Sequence, residues 1–162
     1  MSTEMIPSVI DYLLQLPEAM HFAKVHELCS DGISSYRMLS DYGSGTFQLI
    51  EFENNLLLIL IGDYKPKDTF EKITEISEDY MEISQFETDS SSFKIGGRKR
   101  NQVDKGIYCY LNTQKKTYTY CEGGKAVRFT KVILSPQYFQ TYFKLHDENN
   151  ARLLSSARDY LL

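Results

Sequence analysis

Apolar and polar residues alternate through the middle of the chain, which is the pattern that predicts β-strands. The alternating stretches are separated by turn-forming residues such as the pair Asn54 and Asn55. They cover residues 33–40, 46–53, 56–62, 80–87 and 91–95. Short strands at this spacing are typical of a sandwich or barrel. Residues 63–68 read as a polar connector, and 70–76 fits a short helix and a strand equally well.

The segment from Gly106 to Leu134 predicts three more strands joined by two tight polar turns. The strands cover 106–112, 117–122 and 126–134, with turns at 113–116 and 123–125. We expect an antiparallel meander of consecutive neighbours. A hairpin centred on Lys115 would place Cys109 and Cys121 directly opposite each other. There they would be small core thiols or, alternatively, a redox switch.

Apolar residues at three- and four-residue spacing predict a helix near the start of the chain. They are Ile6, Ile10, Leu13 and Leu14. Pro7 is tolerated in a first helical turn, whereas Pro17 is expected to end the helix. Residues 18–32 fit a loop or a short helix.

Two helical patterns follow the last predicted strand. Ser135 is a favourable N-cap with Pro136 behind it. The first pattern has an aromatic face of Tyr138, Phe139, Tyr142 and Phe143. The second begins near Asn149, and its apolar stripe fits core packing and a dimer seam equally well. The candidate dimerisation residues of that stripe are Leu153, Leu154, Ala157 and Leu161. Because this pattern is still running at Leu162, we expect a longer protein.

These patterns predict a mainly β fold with an N-terminal helix and C-terminal flanking helices. We divide the chain into an N-terminal helix and arm (1–32), a β-barrel or sandwich (33–134) and C-terminal helices (135–162). A length of 162 residues suits one domain with a substantial core. Twelve Tyr and nine Phe without Trp favour strands, and so many tyrosines also suggest a pocket or an interface.

Charge and cysteine content narrow the possible partners and the compartment. A formal net charge of -4 argues against nucleic-acid binding by this segment itself. Three cysteines without a CxxC motif or a secretory leader predict free thiols in a reducing cytoplasm. The most apolar run, residues 56–61, is far shorter than a membrane span. We therefore expect a cytoplasmic protein that does not contact a membrane.

Motifs for metal or nucleophilic chemistry are missing from the sequence. Its histidines are His21, His26 and His146, with no His-x-His spacing, so we predict no metal and no cofactor. No catalytic triad can be assembled, and we predict that the chain is not an enzyme. Residues 123–125 (Gly-Gly-Lys) read as a hairpin turn and not as a phosphate loop. The basic run 98–100 reads as a solvated surface, with anion contact as the alternative.

Tyrosines at alternate positions of the predicted meander are the main candidates for a binding surface. They either line a cavity or cover a sheet face. With two further residues they make up the candidate ligand-binding set: Phe86, Tyr108, Tyr110, Tyr118, Tyr120 and Arg128.

Four segments of the chain resemble a known family. They are YGSGTFQLIEFEN (42–54), ISEDYMEISQFETDSSSFKIGG (76–97), KGIYCYLNTQKKTYTYC (105–121) and RFTKVILSPQYF (128–139). Together they resemble the N-terminal regulatory domain of AraC-type transcriptional regulators of anaerobic Gram-positive bacteria. The resemblance implies a cupin-like β-barrel that senses a small molecule, followed by dimerisation helices and a pair of helix-turn-helix motifs. Those DNA-reading motifs are not among these 162 residues.

The resulting hypothesis is a regulatory domain of an AraC-type transcription factor. It would bind an unknown small-molecule effector, form a homodimer and contact DNA only through the absent C-terminal domain. The alternatives are a small metal-free cupin-like enzyme, such as a sugar isomerase, and a pure dimerisation module. An apolar, aromatic lining of the barrel would favour sensing, whereas a convergent carboxylate or histidine would favour chemistry.

Overall fold

Strands make up most of the chain that the computed structural model describes, which is residues 5–6, 8–52, 54, 56–88, 91–95, 101–112 and 117–143. The strands are β1 (Met5–Ile6), β2 (Phe22–Lys24), β3 (Ile33–Met38), β4 (Gly43–Phe52), β5 (Leu57–Pro66), β6 (Phe70–Ile76), β7 (Tyr80–Phe86), β8 (Ser91–Ile95), β9 (Asn101–Val103), β10 (Gly106–Asn112), β11 (Thr117–Cys121) and β12 (Val127–Leu134). The helices are α1 (Val9–Ala19) and α2 (Pro136–Phe143), with a 3₁₀ turn at His26–Leu28.

The strands form two sheets that share one core. The larger sheet has the order β10-β7-β12-β5-β4-β3-β2, and the smaller has the order β1-β6-β11-β8-β9. Neighbouring strands are antiparallel except for the short parallel pair of β1 and β6. Tyr64 of the larger sheet reaches Cys121 of the smaller sheet, with 3.9 Å between its hydroxyl and the sulfur. The two sheets therefore face each other as a sandwich.

The predicted meander is wrong, although its three strands are confirmed. β10 pairs with β7, β11 pairs with β6 and β8, and β12 pairs with β5 and β7. The chain thus changes sheet at each connection. Cys109 lies opposite Ile83, and Cys121 lies opposite Phe70, so the predicted cysteine pair is also wrong. Alternation shows that a segment is a strand, but it carries no information about the partner strand.

The N-terminal helix packs into the same core as the strands. Ser8 is its N-cap and accepts a hydrogen bond from the backbone N–H of Asp11, while the Glu78 carboxylate accepts one from that of Val9. The prediction that Pro17 ends the helix is wrong, because the helix continues to Ala19. Pro17 is fully buried, and packing of its ring against the core supports the last turn despite its missing N–H.

The β4–β5 hairpin is longer than the sequence pattern predicts. Its pairing runs from Gly43 opposite Pro66 to Phe52 opposite Leu57. Residues 63–66 belong to the strand and are not a connector, because Tyr64 and Pro66 continue the alternate burial. The ambiguous segment 70–76 is a strand, and residues 18–32 contain β2 and the 3₁₀ turn.

The first exit helix begins as predicted. Ser135 Oγ accepts from the backbone N–H of Tyr138 and donates to the carbonyl oxygen of Leu56. This arrangement ties the start of α2 to the larger sheet. The predicted second helix, with Leu153, Leu154, Ala157 and Leu161, lies outside the described residues.

Candidate functional site

Polar side chains lie on the inner face of the larger sheet, where alternation would place core residues. On β7, Tyr80 and Ser84 are buried while Ile83 is exposed; on β12, Phe129 and Ile133 are buried. Consecutive strand residues point to opposite faces. Glu82 and Lys131 therefore share the inner face with these buried residues.

Glu82, Ser84 and Lys131 form an interior polar cluster. Lys131 Nζ donates to Glu82 Oε1 at 2.7 Å, and Ser84 Oγ donates to the same oxygen at 2.5 Å. The side chains of Lys131 and Glu82 retain only 25% and 15% of their exposure. A half-buried ion pair gains little net stability, since desolvation offsets the attraction.

Aromatic rings surround the interior polar cluster. Lys131 Nζ lies 5.5 Å from the ring centroid of Phe86 and 5.4 Å from that of Phe129, within cation–π range. Phe86 packs edge-on against Tyr108 at 5.9 Å. On β10, Tyr110 and Tyr108 are the register partners of Glu82 and Ser84. A ligand at this position would meet ring faces as well as charged groups.

Tyr80 has a buried hydroxyl that lacks a hydrogen-bond partner among the described residues. Burial raises its pKa well above the ordinary value, and Glu82, Tyr110 and Tyr12 raise it further. Burial likewise raises the pKa of Tyr64, with contributions from Cys121 and Tyr12. A buried hydroxyl without a partner costs about 1–3 kcal/mol, so an acceptor at this point would be favourable.

Lys72 reaches the same interior from the smaller sheet. It lies on the face of β6 that carries the buried Ile76 and the core-packed Phe70. Its Nζ is 4.9 Å from the ring centroid of Tyr12 on α1. Burial lowers the pKa of Lys72 to about 8. Within the described part of the chain, no carboxylate lies within ion-pair distance of it.

The structure brings together half of the predicted ligand-binding residues. Phe86, Tyr108 and Tyr110 line the inner face beside the interior polar cluster. Arg128 is on the outer face, where its Nε donates to Asp63 Oδ1 at 3.1 Å. Tyr120 is on β11 of the smaller sheet, on the face opposite to the buried Cys121.

Tyr118 lies within β11, with Ile73 and Lys94 as its backbone partners, and its side chain lies outside the described part. The sequence analysis missed Lys72, Tyr80 and the whole interior polar cluster. Their signal was present as polar residues at inward positions, such as Lys131 between Phe129 and Ile133.

A separate apolar groove lies on the outer face of the larger sheet. It has a volume of about 310 Å³ and is lined by Phe52, Leu57, Ile59, Tyr138 and Tyr142. The odd-numbered residues of β5 in this groove point away from the buried Leu58 and Leu60. The groove is therefore on the side of the sheet opposite to the interior polar cluster, and residues of both α2 and the sheet line it.

The described residues do not fit a metal centre. No three His, Cys, Asp or Glu side chains among them are grouped closely enough to hold a metal ion. None of the helices described is long and apolar enough to cross a membrane.

Two facing antiparallel sheets and one N-terminal helix make the chain mainly β, as predicted, and cupin-fold structures are among those similar to it. No family model and no curated protein matches its sequence. Solved structures do match. The cupin domain of Cnp3 from Schizosaccharomyces pombe is 10% identical, with a TM-score of 0.45 over 63% of this chain and 72% of that one.

Two other similar structures are titled as enzymes. A predicted oxalate decarboxylase from Thermotoga maritima is 14% identical, with a TM-score of 0.42 over 66% of this chain and 96% of that one. Ectoine synthase from P. lautus is 12% identical, with a TM-score of 0.40 over 67% of both chains. The prediction that the chain is not an enzyme is overturned by these neighbours. At such identities the similarity concerns the fold, and no activity follows from it.

Proposed function

We propose that this chain is the small-molecule-sensing domain of an AraC-type transcriptional regulator of the cytoplasm. The observation that carries the binding half of this proposal is the interior polar cluster enclosed by Phe86, Phe129, Tyr108 and Tyr110. The regulatory half rests on the resemblance of the four segments quoted above. A ligand that binds one arrangement of the domain more tightly would change the DNA affinity of a helix-turn-helix domain outside these 162 residues.

A thermal-shift screen tests the binding half. We expect at least one compound, from a panel of sugars, amino acids, carboxylic acids and nucleosides, to raise the melting temperature of the wild type by about 2 °C or more. The shift should shrink in Lys131→Met, which removes the ammonium group of the cluster. Lys65→Met is the matched control, because Lys65 is on the outer side of β5. A panel without any stabilising compound would contradict the proposal.

A homodimer is the second part of the proposed regulatory mechanism. Sedimentation equilibrium of the wild type and of a chain ending at residue 148 would measure whether residues 149–162 form the seam. We expect the shortened chain to be monomeric. The compound found by thermal shift should change the dimer dissociation constant, because a regulator must couple binding to assembly or domain arrangement. An unchanged constant would argue against coupling through the dimer.

The convergence of a carboxylate and an ammonium group favours a second candidate, a small metal-free enzyme. Glu82 would then serve as an acid or base beside Lys131, which lies 2.7 Å away. Incubating the stabilising compound with the protein and following it by NMR separates the two candidates. A sensor leaves the compound unchanged, whereas an enzyme converts it and loses that conversion in Glu82→Gln.

A further inference from the structure

The outer face of the larger sheet carries an apolar row across five strands. Its members point away from the core and are register partners from one strand to the next. From β4 to β10 they are Ile50, Ile59, Val132, Ile83 and Cys109. Ile83 is 37% exposed, and Ile107, two positions before Cys109, is 74% exposed. We call the surface formed by Val132, Ile83, Cys109 and Ile107 the outer apolar face. Extended apolar surfaces of this kind mark interaction sites.

Helix α2 leads the chain onto this side of the sheet. Its Tyr138 and Tyr142 line the groove together with Leu57 and Ile59 of β5. The helix ends at Phe143, and residues 144–162 follow it. A second helix packed beside α2 would lie about 8–10 Å from it. Neighbouring strands are about 4.8 Å apart, so this distance equals two strand spacings and leads from β5 to β7. The place beside α2 is therefore the outer apolar face.

Residues 149–162 have the apolar stripe that packing on this face requires. In the predicted helix the stripe consists of Leu153, Leu154, Ala157 and Leu161, and the opposite side carries Arg152, Ser155 and Asp159. The chain thus has two apolar surfaces that need cover, the stripe and the outer apolar face. Because the stripe occupies only one side of the helix, it can cover one surface at a time.

The stripe can pack in three ways. A seam between two terminal helices covers both stripes but leaves both outer apolar faces open. Its footprint on each copy, about 21 by 10 Å, is also well below the roughly 800 Å² per partner of a standard interface. Packing of the helix on its own chain covers the stripe and the face but leaves no apolar stripe for a dimer. Packing of each helix on the other copy covers both surfaces and also forms the dimer.

We infer that residues 149–162 of one copy bind the outer apolar face of a second copy, and that the exchange is reciprocal. This inference rests on the homodimer of the proposed function and names the surface that its seam meets. Each copy contributes one helix and one face, which doubles the area of a seam made by the helices alone. Exchange of an identical element between two copies is a low-cost route to a dimer.

Cross-linking through Cys109 tests the exchange. Ala157→Cys places a thiol on the stripe, and the exposed Cys109 lies at the edge of the outer apolar face, where it stays accessible to reagents. In the full chain, a short bismaleimide should link position 157 of one copy to Cys109 of the other and give a covalent dimer. Mass spectrometry of the digested dimer identifies the linked peptides. The dimer should be lost in Cys109→Ser/Ala157→Cys.

The other cross-linking products would overturn the inference. A link between Cys109 and position 157 at the mass of a monomer would show that the helix packs on its own chain. A dimer linked through position 157 of both copies, which persists in Cys109→Ser/Ala157→Cys, would show a seam between the two helices. A folded Ala157→Cys protein without any link between the two positions would show that the stripe does not meet the face.

A charge on the outer apolar face provides the second test. Ile83→Asp places a carboxylate where the stripe of the other copy would pack, and it should raise the dimer dissociation constant about tenfold or more. Sedimentation equilibrium of the full chain measures this constant. Leu39→Asp is the matched control, because Leu39 is 46% exposed in the loop between β3 and β4. It should leave the constant unchanged.

Circular dichroism of each variant reports whether it folds. Leu154→Asp changes only the stripe and keeps the test decisive if Ile83→Asp does not fold. A dissociation constant that is the same in wild type, Ile83→Asp and Leu154→Asp would overturn the inference.

These outcomes separate the exchange from the proposed function. A seam between two helices, or a helix packed on its own chain, overturns the exchange and leaves the sensing role standing. A wild-type chain that is monomeric at every concentration overturns both the exchange and the homodimer, whereas the thermal-shift screen still decides whether the chain binds a small molecule.

Discussion

At the scale of single residues, Lys72 combines burial with the absence of a charged partner in the described part of the chain. Its pKa is about 8 in the folded protein and 10.5 in the ordinary reference state. Between these values the unfolded chain binds more protons than the folded one. The free energy of unfolding therefore rises with pH across this window, because the penalty of a buried charge disappears.

Lys72→Met should remove this pH dependence and stabilise the protein at neutral pH. We expect the free energy of unfolding, measured with urea between pH 7.5 and 9.5, to be higher in the variant at the acidic end and its slope to be flatter. Above about pH 10 the raised pKa values of Tyr64 and Tyr80 act in the opposite direction, since only the unfolded tyrosines lose protons. Lys65→Met is the control, and an identical slope in Lys72→Met would contradict the assignment.

The interior polar cluster makes a different prediction, because both charges of the pair are present. Lys131→Met should destabilise the protein by about 1–3 kcal/mol, since it leaves the Glu82 carboxylate half-buried without its partner. The double variant Glu82→Gln/Lys131→Met should recover part of this loss. Urea unfolding of both variants gives the coupling energy.

An exposed ion pair serves as the matched control for the cluster. Arg128 and Asp63 bond at 3.1 Å with 54% and 61% of their side chains exposed. Arg128→Met should therefore change stability by no more than about 1 kcal/mol. If Arg128→Met costs as much as Lys131→Met, burial is not what distinguishes the interior polar cluster.

At the scale of elements, the sequence predicts strands well and their partners poorly. The stretch 80–87 is confirmed as β7 almost to the residue, because local alternation marks it. Its partner strands β10 and β12 lie 20 or more residues further along the sequence. No local pattern specifies which strands pair with β7. The candidate site likewise has residues that the sequence pattern predicts and residues that it does not. The aromatic pattern indicated Tyr108 and Tyr110, whereas the inward position of Lys72 depends on the second sheet, whose pairing the sequence pattern does not predict.

Gly45 allows the backbones of β4 and β5 to approach each other closely in the β4–β5 hairpin. Gly45 has a φ of +119°, and a Cβ there would lie 2.3 Å from the Asp63 carbonyl oxygen and 2.4 Å from Tyr64 Cα. Both obstacles are backbone atoms that cannot move aside cheaply. Gly45→Ala should therefore destabilise the protein by about 2–4 kcal/mol, measured by urea unfolding.

Gly124 is the control for Gly45, because it has a positive φ without backbone atoms crowding its Cβ position. Its φ is +76°, but a Cβ there would meet nothing within 4 Å. Gly124→Ala should cost only about 1–2 kcal/mol, which is the cost of the left-handed conformation alone. Equal losses in the two variants would show that crowding at Gly45 contributes nothing.

At the scale of the whole molecule, the chain's repeated change of sheet separates residues that a meander would join. Cys109 is exposed on the outer face of the larger sheet, and Cys121 is buried in the smaller one. The Cys121 sulfur lies instead beside the Tyr64 hydroxyl. The reactivity of the thiols therefore reports the arrangement of the sheets.

Alkylation of the native protein should modify Cys109 first, Cys29 more slowly and Cys121 only on unfolding. Although Cys109 is exposed, the partial burial of its thiol raises the pKa, so its labelling should remain slower than that of a free thiol and speed up with pH. Mass spectrometry after mild oxidation should find no disulfide between Cys109 and Cys121, because they lie on different sheets with different strand partners. Cys109→Ser is the control that identifies the first labelled site. A Cys109–Cys121 disulfide formed without unfolding would contradict the two-sheet pairing and restore the meander.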